Sequence, residues 1–225
     1  MKIVIINASA RKNGATGKIL NEFADDLSAK GDVEIASINL SDLKLNFCTG
    51  CCLCYKTGVC HIADDADMLS GLINSADCVI IGSPTYTSSI PGQLKTFIDR
   101  GHFVVEQLLK GKYTVAVVTY ENAGGGDVIK ALKKLFVFSG ASRFDKLLVK
   151  LPLDSDPFAD PHTRTKVKMK SDRLYTSITK QEPADLIIKI INYVVLRFGI
   201  KPLVLKKGEQ YAAVRKHWEM RNVRV

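Results

Sequence analysis

The feature that most constrains the fold of this chain is a regular alternation of short apolar segments with longer amphipathic ones. Residues 2–6 form an apolar run rich in β-branched side chains, which is typical of a strand buried on both faces. Residues 15–29 then place apolar side chains at helical spacing. The alternation continues and predicts strands over 33–38, 77–82, 113–119 and 144–151 and helices over 64–75, 92–108 and 126–139.

Strands that alternate with helices in this way form βαβ units, which indicate a parallel sheet with right-handed crossovers. Five strands in 225 residues predict an α/β fold with a flavodoxin-like, doubly wound parallel sheet of order 2-1-3-4-5. We expect residues 1–152 to form this domain. Residues 153–225 are expected to form a helical extension, with a loop over 153–161 and a helix over 184–198. We expect its end, near Trp218, to pack on the domain or on a second subunit.

The formal net charge of +9 is concentrated in the C-terminal third of the chain. Residues 151–225 carry fifteen Lys and Arg against eight Asp and Glu, whereas residues 1–150 carry seventeen against fifteen. Such a basic surface attracts an acidic protein, an anionic membrane surface or nucleic acid, or simply stays solvated. Basic and aromatic residues do not interleave as they do in proteins that bind single strands, so no nucleic-acid partner is expected.

The longest apolar stretch, residues 186–200, is interrupted by polar side chains that include Lys189 and Arg197. No membrane span is therefore expected. The apolar run at the start of the chain is too short for a secretion signal. These two observations predict a cytoplasmic protein.

The loop after the first strand has the composition of an anion site, because it offers polar side chains just before the free N–H groups of a helix start. Its candidate binding residues are Ser9, Arg11, Asn13, Gly14, Ala15 and Thr16. A nucleotide P-loop is excluded, since its pattern requires glycine at Lys12 and a hydroxyl at Ile19. The loop predicts a site for a phosphate monoester, with an ordinary helix start as the alternative.

Two further loops are expected at the same edge, because open α/β sheets bind ligands at the carboxyl ends of their strands. The loop after the third strand can supply an aromatic wall and donors for a flat ring system. Its candidates are Ser83, Pro84, Thr85 and Tyr86. The loop after the fourth strand is rich in glycine, which permits close approach of a ligand to the backbone. Its candidates are Thr119, Glu121, Asn122, Gly124 and Gly125. Simple turns are the alternative at both places.

Together the three loops resemble those of the NADPH-dependent FMN reductases, a branch of the flavodoxin-like superfamily. That family usually has glycine and proline where this chain has Ala8 and Ala10. The stretch from Pro84 to Arg100 is similar to the family's second flavin loop and the helix that follows it. The resemblance covers roughly residues 1–150 and implies that the three loops bind FMN.

Five of the six cysteines lie within thirteen residues, and four of them form the pattern C-x2-C-x2-C-x5-C. These four are Cys48, Cys51, Cys54 and Cys60. Cys52 is an extra thiol, and Cys78 is expected to be a small buried residue. Disulfides are not favoured without a secretion signal, and structural zinc sites more often use two separated pairs of cysteines. Ferredoxin-type runs place three thiolates at this spacing, so the pattern favours an iron–sulfur cluster and leaves zinc and free thiols open.

This cysteine loop, residues 46–63, is followed by an acidic helix start at Asp64 and Asp65 and resembles the loop of archaeal and bacterial iron–sulfur flavoproteins. The resemblance implies that the four cysteines hold a [4Fe–4S] cluster near FMN. It also implies a homodimer or homotetramer, since the FMN often belongs to a neighbouring subunit. The segment around Trp218 resembles the C-terminal extension of that group.

These patterns predict an oxidoreductase that passes electrons between FMN and a [4Fe–4S] cluster, with a ferredoxin-like carrier or NAD(P)H as partner. The cofactors carry the chemistry in such a protein, so no catalytic acid or base is predicted. Two alternatives stay open. One is an NAD(P)H-dependent FMN or quinone reductase without a cluster, and the other is a zinc-binding interaction module that is not an enzyme.

Overall fold

The computed structural model describes residues 1–223, which contain a five-stranded sheet. Its strands are β1 (Lys2–Asn7), β2 (Glu34–Asn39), β3 (Cys78–Pro84), β4 (Tyr113–Tyr120) and β5 (Arg143–Lys150). They pair in the order β2-β1-β3-β4-β5, and each pair is parallel. The predicted flavodoxin-like sheet is therefore confirmed.

Helices cover both faces of the sheet. Those that lie before β5 are α1 (Ala15–Ser28), α2 (Leu53–Thr57), α3 (Ala66–Ser75), α4 (Gly92–Arg100), α5 (Phe103–Glu106) and α6 (Gly125–Phe138). Those that follow β5 are α7 (Pro161–Thr179), α8 (Leu186–Val194), α9 (Lys201–Lys207) and α10 (Ala212–Met220). A π-helical turn at Val195–Ile200 joins α8 to α9, and 3-10 turns lie at Leu40–Asp42 and Gly208–Tyr211. In the described part of the chain, no helix has the length and apolar character needed to span a bilayer.

Successive side chains of a strand point to opposite faces of the sheet, which builds two separate layers of core. On one face Ile6 and Ile81 pack with the apolar side chains of α3, α4 and α6. On the other face Ile5 and Ile80 pack with those of α1 and α7. Cys78 of β3 is buried in this second layer, as predicted. The layers thereby fix α1 and α4, the helices that follow the first two candidate loops.

The helix predicted over 92–108 is wrong in its second half, because α4 ends at Arg100. His102 has a φ of 56°, which interrupts the helix before the short α5. A Cβ on Gly101 would lie 2.5 Å from the ring of Phe103. The glycine therefore lets the chain turn sharply and bury that ring in the core.

Helix α7 lies in the extension that is expected to be helical, but at residues for which the sequence predicts no individual helix. Its buried face consists of Thr163, Val167, Ser171, Leu174 and Ser177. The spacing of these residues is helical, but three of the five are small and polar, so the apolar pattern is weak. Asp160 caps the start of the helix by accepting a hydrogen bond of 2.9 Å from the N–H of His162.

The C-terminal segment packs on the domain through a third apolar cluster, which includes Val204, Val214 and Trp218 and meets Val105 of the domain. The indole Nε1 of Trp218 donates a hydrogen bond of 2.8 Å to the carbonyl of Val105. Of the two arrangements expected for this end of the chain, packing on the domain is the one observed. The helix predicted over 184–198 is observed as α8 and the π-helical turn.

Candidate cofactor sites

A cavity of about 590 Å³ opens at the carboxyl edge of the sheet, where β1, β3, β4 and β5 end. The predicted residues that line it are Arg11, Asn13, Gly14, Ala15, Pro84, Thr85, Tyr86, Thr119 and Glu121. They come from three loops that are far apart in the chain. The sheet brings the three loops together at one opening.

The loop after β1 is held in shape by hydrogen bonds from its backbone N–H groups to its own side chains. Ser9 N donates to Asn7 Oδ1 at 3.0 Å, and Arg11 N donates to Ser9 Oγ at 3.2 Å. Gly17 has no room for a side chain, because a Cβ there would lie 1.7 Å from the carbonyl oxygen of Lys12. The loop therefore closes tightly on α1, and the helix start with its unpaired N–H groups lies beside the cavity.

Three contacts join the loops around the cavity. The hydroxyl groups of Thr16 and Thr119 lie 2.8 Å apart in a buried hydrogen bond. Thr85 N donates to the carbonyl of Thr119 at 3.0 Å. Gly124 has a φ of 84°, and a Cβ there would lie 2.5 Å from the Cα of Ser88. The loops after β3 and β4 therefore touch, and glycine is required at the contact.

Tyr86 supplies an aromatic wall at the cavity. The residue is 46% exposed, and its backbone exchanges hydrogen bonds with Ser89 across a tight turn at 3.0 and 2.9 Å. The turn fixes the backbone while the ring stays accessible. A flat ligand can therefore stack here without first expelling a core side chain.

Six of the predicted binding residues do not line the cavity: Ser9, Thr16, Ser83, Asn122, Gly124 and Gly125. Ser9, Thr16 and Ser83 are buried and hold the loops in shape, and the Ser83 hydroxyl donates to the carbonyl of Pro84 at 2.8 Å. Gly124 precedes α6, and Gly125 begins it. Their part in the site is to shape its backbone.

A fourth loop, which the sequence analysis did not include, forms one wall of the cavity. The additional lining residues are Lys18, Tyr120, Leu151, Pro152, Leu153, Asp154 and Ser155. Most of them follow β5, whose carboxyl end lies at the same edge as the others, so the rule applied to three loops also identifies this one. The loop is fastened where Leu153 N donates to Glu121 Oε1 at 3.1 Å.

Acidic side chains of this fourth loop pair with the cations of the first. Asp154 accepts a hydrogen bond from Arg11, and Asp156 lies 3.1 Å from Lys18 Nζ. The four side chains are between 47% and 73% exposed. Pairs this exposed contribute little to stability, so both cations can exchange their partners for an anionic ligand.

The cysteine loop lies between β2 and α3 and is largely exposed. Cys48 and Cys51 are exposed, whereas Cys54 and Cys60 are partly buried, and all are free thiols. The loop bends at Gly50 and Gly58, which have φ values of 71° and 85°. These bends wrap a short segment back toward the domain, as a compact ligand loop requires.

Among residues 1–223, no three His, Cys, Asp or Glu side chains lie close enough together to hold a metal ion. The sulfur atoms therefore do not converge on one point. Three of them have hydrogen-bond partners. Cys48 Sγ accepts from Gly50 N at 3.4 Å, Cys51 Sγ lies 3.4 Å from His61 Nδ1, and Cys60 Sγ accepts from Arg100 Nη2 at 3.4 Å. In its chemistry the donor set still fits a thiolate-bound centre, because four thiols lie on one short loop.

The thiols of this loop differ in acidity. Burial raises the pKa of Cys54 to about 11, and the negative charges of Glu106 and Cys60 add to the effect. The N–H of Leu53 lowers the pKa of Cys51. A cation bound among the sulfur atoms would offset the repulsion at Cys54 and favour its thiolate.

A buried carboxylate, Glu106, lies close enough to the cysteine loop to act electrostatically on Cys54. Glu106 is 1% exposed and contacts Nδ1 of both His102 and His217. Beside it the ring of Tyr55, on α2, stacks on Tyr211 with centroids 4.7 Å apart. The C-terminal segment therefore forms part of the surface on which the cysteine loop rests.

Comparison with known proteins decides the family. The sequence profile of NADPH-dependent FMN reductases matches residues 1–152. An iron–sulfur flavoprotein of Clostridioides difficile is 34% identical over 225 residues, which cover 99% of this chain and 100% of that protein. The chain belongs to the iron–sulfur flavoproteins of the NADPH-dependent FMN reductase family.

A second relative agrees with this assignment, and a solved structure shows the same fold. An iron–sulfur flavoprotein of Archaeoglobus fulgidus is 40% identical over 128 residues, which cover 55% of this chain and 56% of that protein. An FMN-dependent NADH-azoreductase of Bacillus anthracis, solved with FMN, has the same fold, with a TM-score of 0.60, 20% identity and coverage of 78% of this chain and 100% of its own. The family resemblance stated from the sequence is confirmed, and the family to which the chain belongs makes it an FMN-dependent oxidoreductase.

Proposed function

We propose that this iron–sulfur flavoprotein passes electrons between FMN and a [4Fe–4S] cluster. The observation that carries the proposal is the cavity at the carboxyl edge of the sheet. There a helix start with free N–H groups, the guanidinium of Arg11 and the aromatic side chain of Tyr86 lie together. FMN needs such a combination, because it joins a dianionic phosphate to a flat ring system.

The three predicted loops are proposed to bind different parts of FMN. The residues proposed for the phosphate are Ser9, Arg11, Asn13, Gly14, Ala15 and Thr16. Those proposed for the ring system and its linker are Ser83, Pro84, Thr85, Tyr86, Thr119, Glu121, Asn122, Gly124 and Gly125. Arg11 and the start of α1 supply positive charge, and Tyr86 supplies the wall. The residues outside the lining act by holding the loops in place.

The cysteine loop is proposed to hold the cluster through Cys48, Cys51, Cys54 and Cys60. Support comes from the four thiols on one bent loop and from the full-length match to an iron–sulfur flavoprotein. FMN, when bound, exchanges one or two electrons, whereas a cluster exchanges one, so together they can link a two-electron partner to a one-electron partner. The protein positions both groups and sets their electrostatic surroundings, and no side-chain acid or base is assigned.

The proposed partners are a ferredoxin-like carrier or NAD(P)H. The C-terminal third carries most of the net positive charge, which suits an acidic carrier protein. A cytoplasmic location is proposed because a reducing compartment keeps six cysteines as thiols. In this proposal residues 1–152 hold both cofactors, and residues 153–223 complete the support of the cysteine loop and provide an interface.

That interface is proposed to join two copies of this chain, in a homodimer or as part of a homotetramer. Large apolar side chains are exposed along α8, the π-helical turn and α9: Leu186, Ile187, Ile190, Tyr193, Val194, Phe198, Leu203 and Leu205. A group of exposed apolar side chains of this size marks an interaction site, and symmetric pairing covers it with an identical group.

The test is anaerobic purification followed by an absorption spectrum and by assays of flavin, iron and acid-labile sulfide. One FMN with about four iron and four sulfide per chain is the expected result, because a [4Fe–4S] cluster has that composition. If the protein contains flavin but no iron after reconstitution, the result would support the alternative of an FMN reductase without a cluster. Stoichiometric zinc without flavin would instead support the interaction module and overturn the proposal.

Paired cysteine variants sharpen this test. Cys54→Ser should lose the iron and retain the flavin, because it removes a proposed ligand from the middle of the pattern. Cys52→Ser is the matched control, since Cys52 lies on the same loop outside the pattern, and it should keep the iron. Equal iron contents in the two variants would contradict the assigned ligand set.

A further inference from the structure

Arg100 is the most deeply buried cation at the cysteine loop. Its side chain is 1% exposed and forms an ion pair with Asp64, whose side chain is fully buried. Arg100 is the last residue of α4, which begins just after the loop that carries Tyr86. A charge this deeply buried is costly unless its hydrogen bonds are arranged around it.

The guanidinium of Arg100 binds both ends of the cysteine loop. Nη1 donates to the carbonyl of Asn46 at 3.2 Å, and Nη2 donates to the carbonyl of Ile62 at 3.0 Å. Its ion-pair partner Asp64 also accepts the N–H of Asn46, at 2.8 Å. The two stems of the loop, which are sixteen positions apart in sequence (62 − 46), are therefore fastened to one side chain.

The same guanidinium reaches a proposed cluster ligand. Nη2 donates to the sulfur of Cys60 at 3.4 Å. The Nε atom is buried and has no hydrogen-bond partner among residues 1–223. A buried donor without an acceptor is unfavourable, and a sulfur-rich group held by the loop offers acceptors to it.

We infer that Arg100 is a positioning residue that closes the cysteine loop and raises the reduction potential of the group the loop holds. The inference rests on the proposed function, because it requires a cluster on this loop. Reduction adds one electron, and hence one negative charge, to the cluster and its thiolates. A fixed cation that also donates to a ligand sulfur stabilises the reduced form more than the oxidised form.

The charges of Arg100 and Asp64 distinguish this role from a purely structural one. Arg100→Gln removes the positive charge, whereas Asp64→Asn removes the negative charge and leaves the guanidinium. If the ion pair served only to fold the loop, both substitutions would shift the reduction potential in the same direction. If it sets the potential, Arg100→Gln lowers the potential and Asp64→Asn does not.

The experiment is a redox titration of the anaerobically purified holoprotein, followed by electron paramagnetic resonance. At a fixed poise, Arg100→Gln should reduce the ratio of reduced to oxidised cluster about tenfold, which corresponds to 59 mV for one electron. Arg100→Lys keeps the charge but loses the fork of donors, and it should shift the potential less. Arg164→Gln, an exposed arginine of α7, is the matched control and should leave the potential unchanged.

A second readout does not depend on the cluster. Hydrogen exchange of residues 46–62 in the apoprotein should be faster in Arg100→Lys than in the wild type, while exchange in α1 stays the same. Unchanged loop exchange together with an unchanged potential in both Arg100 variants would overturn the inference. Failure of the proposed function would look different, because the wild-type protein itself would contain no iron after reconstitution.

Discussion

The hydroxyl groups of Thr16 and Thr119 share a buried hydrogen bond of 2.8 Å, although 103 positions separate the two residues. The bond joins the start of α1 to the end of β4. Each residue is almost completely buried, so a water molecule cannot take the place of either hydroxyl as the partner in this hydrogen bond. The geometry of the cavity at the carboxyl edge of the sheet therefore depends on a contact that neither loop makes alone.

Thr16→Val should destabilise the protein by about 1–3 kcal/mol, because it leaves the Thr119 hydroxyl buried without a partner. Thr119→Val should have a similar effect. The double variant should be less destabilised than the sum of the two, since it removes both ends of the bond. Urea denaturation of the four proteins measures this coupling, and strict additivity would contradict a direct bond.

Gly17→Ala should disrupt the loop after β1, because the new Cβ would lie 1.7 Å from the carbonyl oxygen of Lys12. We expect a loss of stability of about 3 kcal/mol or more, which is the size of effect that follows from severe overpacking. Gly126→Ala is the matched control, since no atom of the described residues lies within 4 Å of the Cβ it would add. That variant should be neutral or stabilising by about 0.5–1 kcal/mol, and thermal unfolding compares the two.

Asp154→Asn should strengthen FMN binding by about two- to fivefold, because it removes the carboxylate that pairs with Arg11 and competes with the phosphate. Asparagine also tolerates the φ of 61° at this position. Riboflavin, which lacks the phosphate, should bind both proteins equally. Glu209→Gln is the control for a general change in charge, because Glu209 forms an exposed ion pair with Arg215 of α10, outside the cavity. Flavin fluorescence titrations give the affinities, and an equal gain for riboflavin would refute the competition.

Glu106→Gln should loosen the C-terminal segment and cost about 1–3 kcal/mol, because it weakens hydrogen bonds to His102 and His217 in a buried site. Burial alone would raise the pKa of Glu106, but the hydrogen bonds and charges of the two histidines outweigh it and lower the pKa. The carboxylate therefore contributes stability that is complete above its ordinary pKa of 4.5 and is lost as the pH falls through the lower, folded-state value.

Urea unfolding of wild type and Glu106→Gln between pH 7 and pH 3 tests this assignment. The wild-type advantage should shrink as the pH falls through the acid range. Glu219→Gln, which changes an exposed residue of α10, is the control. The stability of this variant should follow that of the wild type at every pH. A constant gap between wild type and Glu106→Gln at every pH would contradict the linkage.

Ile190→Asp should dissociate the proposed oligomer, because it places a charge on the exposed apolar face of α8. We expect the dissociation constant to rise at least tenfold, or about 1.4 kcal/mol. Met169→Asp introduces the same charge at an exposed apolar residue of α7 and should leave the mass unchanged. Light scattering coupled to gel filtration measures the mass, and a monomeric wild-type protein would refute the interface.

The sheet and its loops could be predicted because their signals are local. A run such as residues 2–6 carries its own strand pattern, and the carboxyl ends of parallel strands share one edge. Helix α7 could not be predicted, since Ser171 and Ser177 occupy its buried face where apolar residues would have marked it. The contacts of Arg100 could not be predicted from the sequence either, because they join segments that only the fold brings together.

The surface beneath the cysteine loop has a consequence for the order of events during synthesis. Tyr55 lies on the loop's short helix, whereas its stacking partner Tyr211 belongs to the last part of the chain. A ribosome that adds about 5–20 residues per second delivers that partner roughly eight to thirty seconds after the loop. During that interval the thiols are already made but lack their support. The packing of Tyr55 on Tyr211, which completes the surface beneath the loop, therefore belongs to the final stage of the protein's synthesis.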